Sequence, residues 1–173
     1  MRKFARDETG FSLLELMAAI AVLCVLLGVA VPSFVDTINS NRTTSQANEL
    51  VSALNYARSE AVKRSDLVSV CASANGTSCS GSNDWSTGWI VFTDSTGGAG
   101  TYDPPNDVLL QVWPATGGLT LATNGSSIRY QGSGMVVTTR NFLLQKPSCS
   151  GTRARQVSIF ATGRVSTTKV TCT

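Results

Sequence analysis

Histidine is absent from all 173 residues. That absence removes imidazole acid–base catalysis, imidazole metal ligation and histidine-based pH switching. Charge is scarce, at 14% of residues with a net value of +3, and aromatic residues make up only 7%. Each sign of charge is also missing from a whole region. Between residues 66 and 128 there is no basic side chain, only Asp66, Asp84, Asp94, Asp103 and Asp107. From residue 129 onward there is no carboxylate, only Arg129, Arg140, Lys146, Arg153, Arg155, Arg164 and Lys169. Catalytic signatures are lacking too. The serines have no imidazole partner, no G-x-S-x-G elbow occurs, and the glycine clusters lack a P-loop lysine or a dinucleotide-binding context. The aspartates of the middle region lack EF-hand spacing and read as a solvated acidic surface. These absences predict a protein that is not an enzyme and holds no cofactor and no metal.

What is present begins with an uncharged run, Leu16 to Val35, twenty residues long. About that length crosses a hydrocarbon core as a helix. Arg2, Lys3 and Arg6 precede it, partly offset by Asp7 and Glu8, and this basic excess holds the N-terminus on the cytoplasmic side. A conventional signal peptide cut near Gly28-Val29-Ala30 is the rival reading, and it leaves Glu15 unexplained. A carboxylate at the edge of a membrane helix is expensive without a partner, which marks it as functional. The free α-amino group of a neighbouring subunit, exposed by cleavage before Phe11, would serve.

Gly10-Phe11-Ser12-Leu13-Leu14-Glu15-Leu16, behind a basic leader and ahead of an apolar run, resembles the processing site of type IV pilins and type II secretion pseudopilins. The resemblance implies cleavage after Gly10 by a prepilin peptidase and methylation of Phe11. It further implies docking through Glu15, and a bend at Pro32 where such proteins carry a proline. Independently, a proline within a helix removes one hydrogen bond and bends or interrupts it.

Apolar residues continue past Pro32 at three- and four-residue spacings, through Val35, Ile38, Leu50, Val51, Leu54, Ala57, Ala61 and Val62. The pattern predicts one long helix from about Phe11 to Arg64, weakest over Asn39 to Gln46. Two helices joined by a polar linker are the alternative. From Asp66 the pattern becomes short β-prone stretches separated by turn residues. Strands are expected at Leu67–Cys71, Gly88–Phe92, Val108–Trp113, Leu119–Ala122, Ser127–Gln131, Gly134–Val137, Phe142–Gln145 and Gln156–Phe160. The polar stretch Thr93 to Asn106 reads as an exposed loop. One N-terminal helix followed only by strands predicts an α+β, pilin-like fold with antiparallel sheet on the C-terminal half of the helix. Trp85, Trp89, Trp113 and Tyr130 read as core residues with at most one exposed.

Of the five cysteines, Cys24 lies in the apolar run as a small packing or lipid-facing residue. Cys71, Cys79, Cys149 and Cys172 lie in the outward domain, where an oxidising compartment sustains disulfides. Three pairings are open. Cys71 with Cys79 and Cys149 with Cys172 close the most local loops, and the second contributes roughly 3 kcal/mol. A four-thiolate zinc site is disfavoured, because paired knuckle spacings are missing.

Asn48 to Val62, Ser127 to Gly134, Cys149, and Arg155 to Phe160 followed by Gly163-Arg164 resemble the GspH/FimT group of minor pilins and minor pseudopilins. The resemblance divides the chain into a leader (1–10), a membrane and assembly helix (11–35), an amphipathic helix (36–64) and a β-rich periplasmic or extracellular domain (65–173). It implies a single-pass inner-membrane protein that leaves the bilayer for a surface filament. Its implied partners are other pilin or pseudopilin subunits, prepilin peptidase and the inner-membrane assembly platform. Members linked to natural transformation carry Gly-Arg-x-Arg near the C-terminus. Here Gly163 and Arg164 match, but Ser166 stands in place of the second arginine. Arg140, Lys146, Arg153, Arg155, Arg164 and Lys169 are the candidate contacts to double-stranded DNA, whose phosphates bind such groups irrespective of sequence. The rival use of the charge division is register between neighbouring subunits. A pilus subunit is the first reading, a type II secretion pseudopilin the second and a freely secreted domain the third.

Overall fold

The computed structural model describes residues 12–95 and 100–173, apart from the side chains at 29, 31–33 and 36. Gly10 and Phe11, the expected processing site, lie outside the described residues, as does the Pro32 side chain. Among the described residues one helix, α1 (Leu13–Arg64), is followed by eight strands: β1 (Val68–Ala72), β2 (Trp89–Thr93), β3 (Leu109–Trp113), β4 (Thr120–Thr123), β5 (Ser127–Tyr130), β6 (Arg140–Gln145), β7 (Ala154–Ile159) and β8 (Val165–Val170). The helical assignment runs unbroken through position 32 and through Asn39 to Gln46. The chain nevertheless divides into two compact units, 1–39 and 40–173.

In the first unit, Leu13, Leu14, Leu16, Met17, Ile20, Val22, Leu23, Val25, Leu26 and Leu27 are all exposed, and Cys24 is an exposed free thiol. The twenty-residue run expected to span is described only in part. Among the described residues no helix is long and apolar enough to cross a membrane.

The second unit holds the core. Ala47, Leu50, Leu54, Ala57 and Ala61 alternate three- and four-residue steps, and each is fully buried. They form one stripe on α1. Four of the six fully buried helix residues are alanines once Ala53 is included, so the helix backbone comes close to the layer it covers. Three guanidinium groups fasten the helix to the strand region. Arg42 donates to the Gly117 carbonyl at 2.6 Å, Arg58 to the carbonyls of Gly134 and Thr162 at 3.1 and 3.0 Å, and Arg155 to the Thr44 hydroxyl at 2.9 Å.

The strands form two four-stranded antiparallel sheets rather than one, in orders β3-β2-β1-β5 and β4-β6-β7-β8. β1 and β2 are buried at every position because both of their faces are covered. Val68, Val70, Trp89 and Val91 join the helix-side core, while Cys71, Ile90 and Phe92 form a smaller cluster beneath Cys79, Tyr102 and Leu109. Trp85 packs edge-on against Phe142 at 4.8 Å and donates its indole N–H to the Gly125 carbonyl. Trp85, Trp89 and Tyr130 are fully buried; Trp113 is partly so, against Tyr56.

Two strand expectations are corrected. Gly134–Val137 forms a turn with a single bridge from Val136 to Tyr130 instead of a strand, because its backbone serves the Arg58 guanidinium and the Gln131 turn. Val165–Val170, outside the expected strands, is the edge strand β8. Its Ser, Thr and Lys side chains suit an edge that faces water. Disulfides join Cys71 to Cys79 and Cys149 to Cys172, with Cα separations of 5.6 and 5.7 Å. The first braces the loop leaving β1, and the second holds the chain end after β8 to the loop between β6 and β7.

Candidate functional site

Two surfaces carry the sequence-predicted residues, and each is set by local chemistry. At the start of α1, Ser12 is the N-cap: its hydroxyl accepts from the Glu15 amide at 3.2 Å, and its carbonyl accepts from the amides of Glu15 and Leu16. Ser12-Leu13-Leu14-Glu15 thus has capping-box spacing, in which the acidic residue at the third helical position also suits the positive end of the helix dipole. The S-x-x-E signal is legible in the sequence and gives Glu15 a local role beside the docking role expected of its carboxylate. Glu15 stands exposed at the tip of an exposed apolar helix. That geometry leaves its charge available to a positive group from another molecule.

The six candidate DNA contacts do not make one patch. β7 and β8 pair with Arg155 opposite Lys169 and Ile159 opposite Val165, and β6 pairs with β7 through Leu144 opposite Arg155 and Arg140 opposite Ile159. Lys146, Arg153 and Lys169 therefore gather at the disulfide end of the second sheet, and all three are exposed. Arg140 and Arg164 lie at the opposite end. Five strand positions separate Arg164 from Lys169, roughly 17 Å.

Arg155 is a correction. It is 7% exposed, and its guanidinium turns inward to Thr44 and the Ala154 carbonyl. Register places it on the same face as Val157 and Ile159, toward the core, so it positions α1 and is not presented to a phosphate.

Gly163 and Arg164 also have structural tasks. Gly163 has φ +76°, donates to the Phe160 carbonyl at 2.8 Å, and any Cβ there would collide with the Gly134 carbonyl. Only glycine suits that turn without strain. Arg164 is exposed and lies over the Phe160 ring, 5.0 Å from its centroid. A cation stacked in this way keeps its charge while covering apolar surface.

The middle acidic region is a second correction, since two of its carboxylates are interior rather than solvated. Asp94 is 1% exposed, and its Oδ2 accepts from the Ser69 hydroxyl at 2.5 Å, Arg129 Nε at 2.7 Å and the Gly100 amide at 2.9 Å. Arg129 Nη2 lies 2.6 Å from the same oxygen without hydrogen-bond alignment, so the directed bond is through Nε. Asp107 is 4% exposed and accepts from the Asp103 amide at 2.9 Å. Burial, together with the nearby charges of Asp94 and Asp103, raises its pKa. Hydrophobic alternation could not reveal these residues, because both sit in a loop whose composition is polar.

Comparison with known proteins agrees with this architecture. The family model described as type II transport protein GspH matches residues 46–163, and the prokaryotic N-terminal methylation motif matches residues 5–31. Among curated proteins none matches. A crystal structure of the type IV minor pilin FimU of Pseudomonas aeruginosa superposes with a TM-score of 0.57 at 25% identity, covering 73% of this chain and 87% of that one. A second crystal form of FimU gives 0.56 at 24%, covering 72% and 91%, and speaks to the fold alone.

Proposed function

Because the chain belongs to the GspH family of minor pilins and pseudopilins, we propose that it is a minor subunit of a type IV pilus, helping to prime the filament or incorporated in it. The observation that carries this reading is the joining, in one chain, of an N-terminal methylation motif to a GspH domain with the fold of a pilus minor pilin. The leader ends at Gly10, Phe11 becomes the methylated N-terminus, and Glu15 and the helix around Pro32 pack among other pilin helices. Before assembly, the helix sits in the inner membrane with the β-rich domain in the periplasm. Prepilin peptidase and the assembly platform are the partners this route requires.

N-terminal mass analysis of the membrane-extracted chain, paired with analysis of sheared filaments, tests the proposal. A mature chain beginning with N-methyl-phenylalanine at Phe11 and present in pili is expected. A chain beginning near Val31 would overturn it. Presence only in a secretion complex, with pili intact when the gene is removed, would favour the type II secretion role that the family description carries.

A second reading adds DNA capture, supported by the exposed trio Lys146, Arg153 and Lys169 and by the lack of any carboxylate after residue 128. Each phosphate neutralised contributes about −0.9 to the slope of log affinity against log salt. Replacing the trio together by glutamate should therefore lower the slope for the detergent-solubilised chain on duplex DNA by about 3. Arg164→Glu, at the other end of the sheet, should have a smaller effect. Unchanged retention after the triple reversal would sink the assignment.

A further inference from the structure

Arg140 stands apart from every other cation with an inward-facing guanidinium. Arg129 has Asp94, Arg155 has Thr44, and Arg42 and Arg58 donate to carbonyls. Among the described residues Arg140 has no carboxylate and no hydrogen-bond partner, and its Nε is buried. A desolvated donor left unmade is costly, more so when charged. Its guanidinium lies against Gly125, where a Cβ would collide with it.

Two cavities open on this side chain. One, of about 180 Å³, lies where the chain crosses from the first sheet to the second, and is lined by Ser127, Arg129, Thr138 and Arg140 with Gly100 and Val137. The other, of about 320 Å³, has Asn124, Thr139, Asn141 and Ser158 as its polar lining beside Arg140. No carboxylate lines either one. Asp94 neutralises Arg129, so the smaller cavity retains the positive charge of Arg140, with the Ser127 and Thr138 hydroxyl residues in the same lining.

We propose that the cleft around Arg140, at the junction of the two sheets, is a binding site for a phosphate-type oxyanion. A carboxylate presents two coplanar oxygens and is satisfied by one bidentate guanidinium. Here hydroxyl donors stand on more than one wall around the single uncompensated cation, an arrangement that serves acceptors pointing in several directions. The smaller cavity, of about 180 Å³, has room for one such group, with anything attached to it left outside. The site lies at the opposite end of the second sheet from Lys146, Arg153 and Lys169, and it does not depend on their binding DNA.

The test is an amide NMR titration of the full chain in detergent micelles, at constant ionic strength, with inorganic phosphate, dimethyl phosphate and acetate in parallel. Saturable shifts at Gly125, Ser127 and Thr138 are expected with phosphate. Arg140→Gln should weaken them at least tenfold, whereas Arg140→Lys should preserve part of the response. Lys63→Gln, which removes one exposed charge that lines neither cavity, should change nothing. Gly125→Ala keeps the charge but pushes the guanidinium aside, and should weaken binding while the fold stays intact. Equal response to dimethyl phosphate would identify a diester, as in a nucleic-acid backbone, as the source; response to inorganic phosphate alone would identify a free or terminal phosphate. Acetate binding as tightly as phosphate would overturn the proposal in favour of a carboxylate from a neighbouring protein. Shifts that do not saturate, or that persist in Arg140→Gln, would also overturn it.

Discussion

Glu15→Gln should reduce incorporation into filaments at least about 30-fold while leaving cleavage and methylation of Phe11 unchanged. The magnitude follows from the ion pair proposed for docking through Glu15. Removing one member of a desolvated, hydrogen-bonded charge pair costs about 2–5 kcal/mol, and each 1.4 kcal/mol is tenfold. Glutamine is informative because it keeps the polar side chain and the S-x-x-E/Q capping spacing behind Ser12 but deletes the charge. Glu15→Ala deletes the polar side chain as well and leaves only the backbone amide bonded to Ser12. If the charge matters, the two variants assemble equally poorly; if the cap is what matters, glutamine assembles normally and only alanine fails. The effect in the bilayer has the opposite sign, since an uncharged residue at that depth is cheaper to hold in lipid. Quantifying the subunit in sheared filaments and in membranes should therefore show it depleted in the former and retained in the latter.

Two aspartates in the polar middle region should respond to substitution with opposite signs. Asp94→Ala removes the acceptor for Ser69, Gly100 and Arg129 at once. Arg129 is then left mostly buried without its counter-charge, a change that typically costs about 3–5 kcal/mol. Denaturant unfolding of the detergent-solubilised chain should show that loss, and a variant as stable as the parent would refute the assigned network.

Asp107→Asn should instead stabilise the protein at neutral pH. Asp107 is buried with an unpartnered Oδ1, and its pKa is raised by burial and by the neighbouring aspartates. A raised pKa means that the folded state prefers the protonated form. Its favourable contribution is complete below the ordinary carboxylate pKa and is lost as pH rises through the folded value. Glu60 and Asp66 behave in the opposite way. Hydrogen bonds from Arg64 to the first and from Ser95 to the second lower their pKa values, so their contributions are present above the ordinary range and disappear as pH falls. The stability advantage of Asp107→Asn should thus be largest at neutral pH and shrink as the solution is acidified. An advantage that stays constant with pH would show that the Asp107 charge is not its origin.

Legibility in the sequence tracked the distance over which each feature is determined. The helix was readable to within two residues of its observed limits, because its apolar stripe, basic C-terminal turn and flanking Ser65-Asp66 are local. Seven of the expected strands overlap observed ones for the same reason. β8 was missed because Thr, Ser and Lys on a solvent-facing edge carry no alternation, and Gly134–Val137 was over-read because apolar residues in a turn imitate a short strand. Arg155 shows the limit most clearly. Its neighbours Arg153 and Lys169 have the same charge and are exposed; Lys169 even pairs directly with it across β7 and β8, and what buries this one guanidinium is its contact with Thr44 of α1.

By itself, the sequence determined the N-terminal methylation motif over residues 5–31, with Glu15 and the apolar run that follows, since these are matters of covalent order and helical spacing. It also determined the division of charge between the middle and the end of the chain. Tertiary structure decided what those charges do. Strand pairing split the basic residues between two ends of a sheet, drew Asp94 and Arg129 into an interior pair, and left Arg140 facing a cleft with no carboxylate among the described residues to neutralise it. Such outcomes depend on which side chains are brought together and desolvated across long sequence separations, and no local pattern records them.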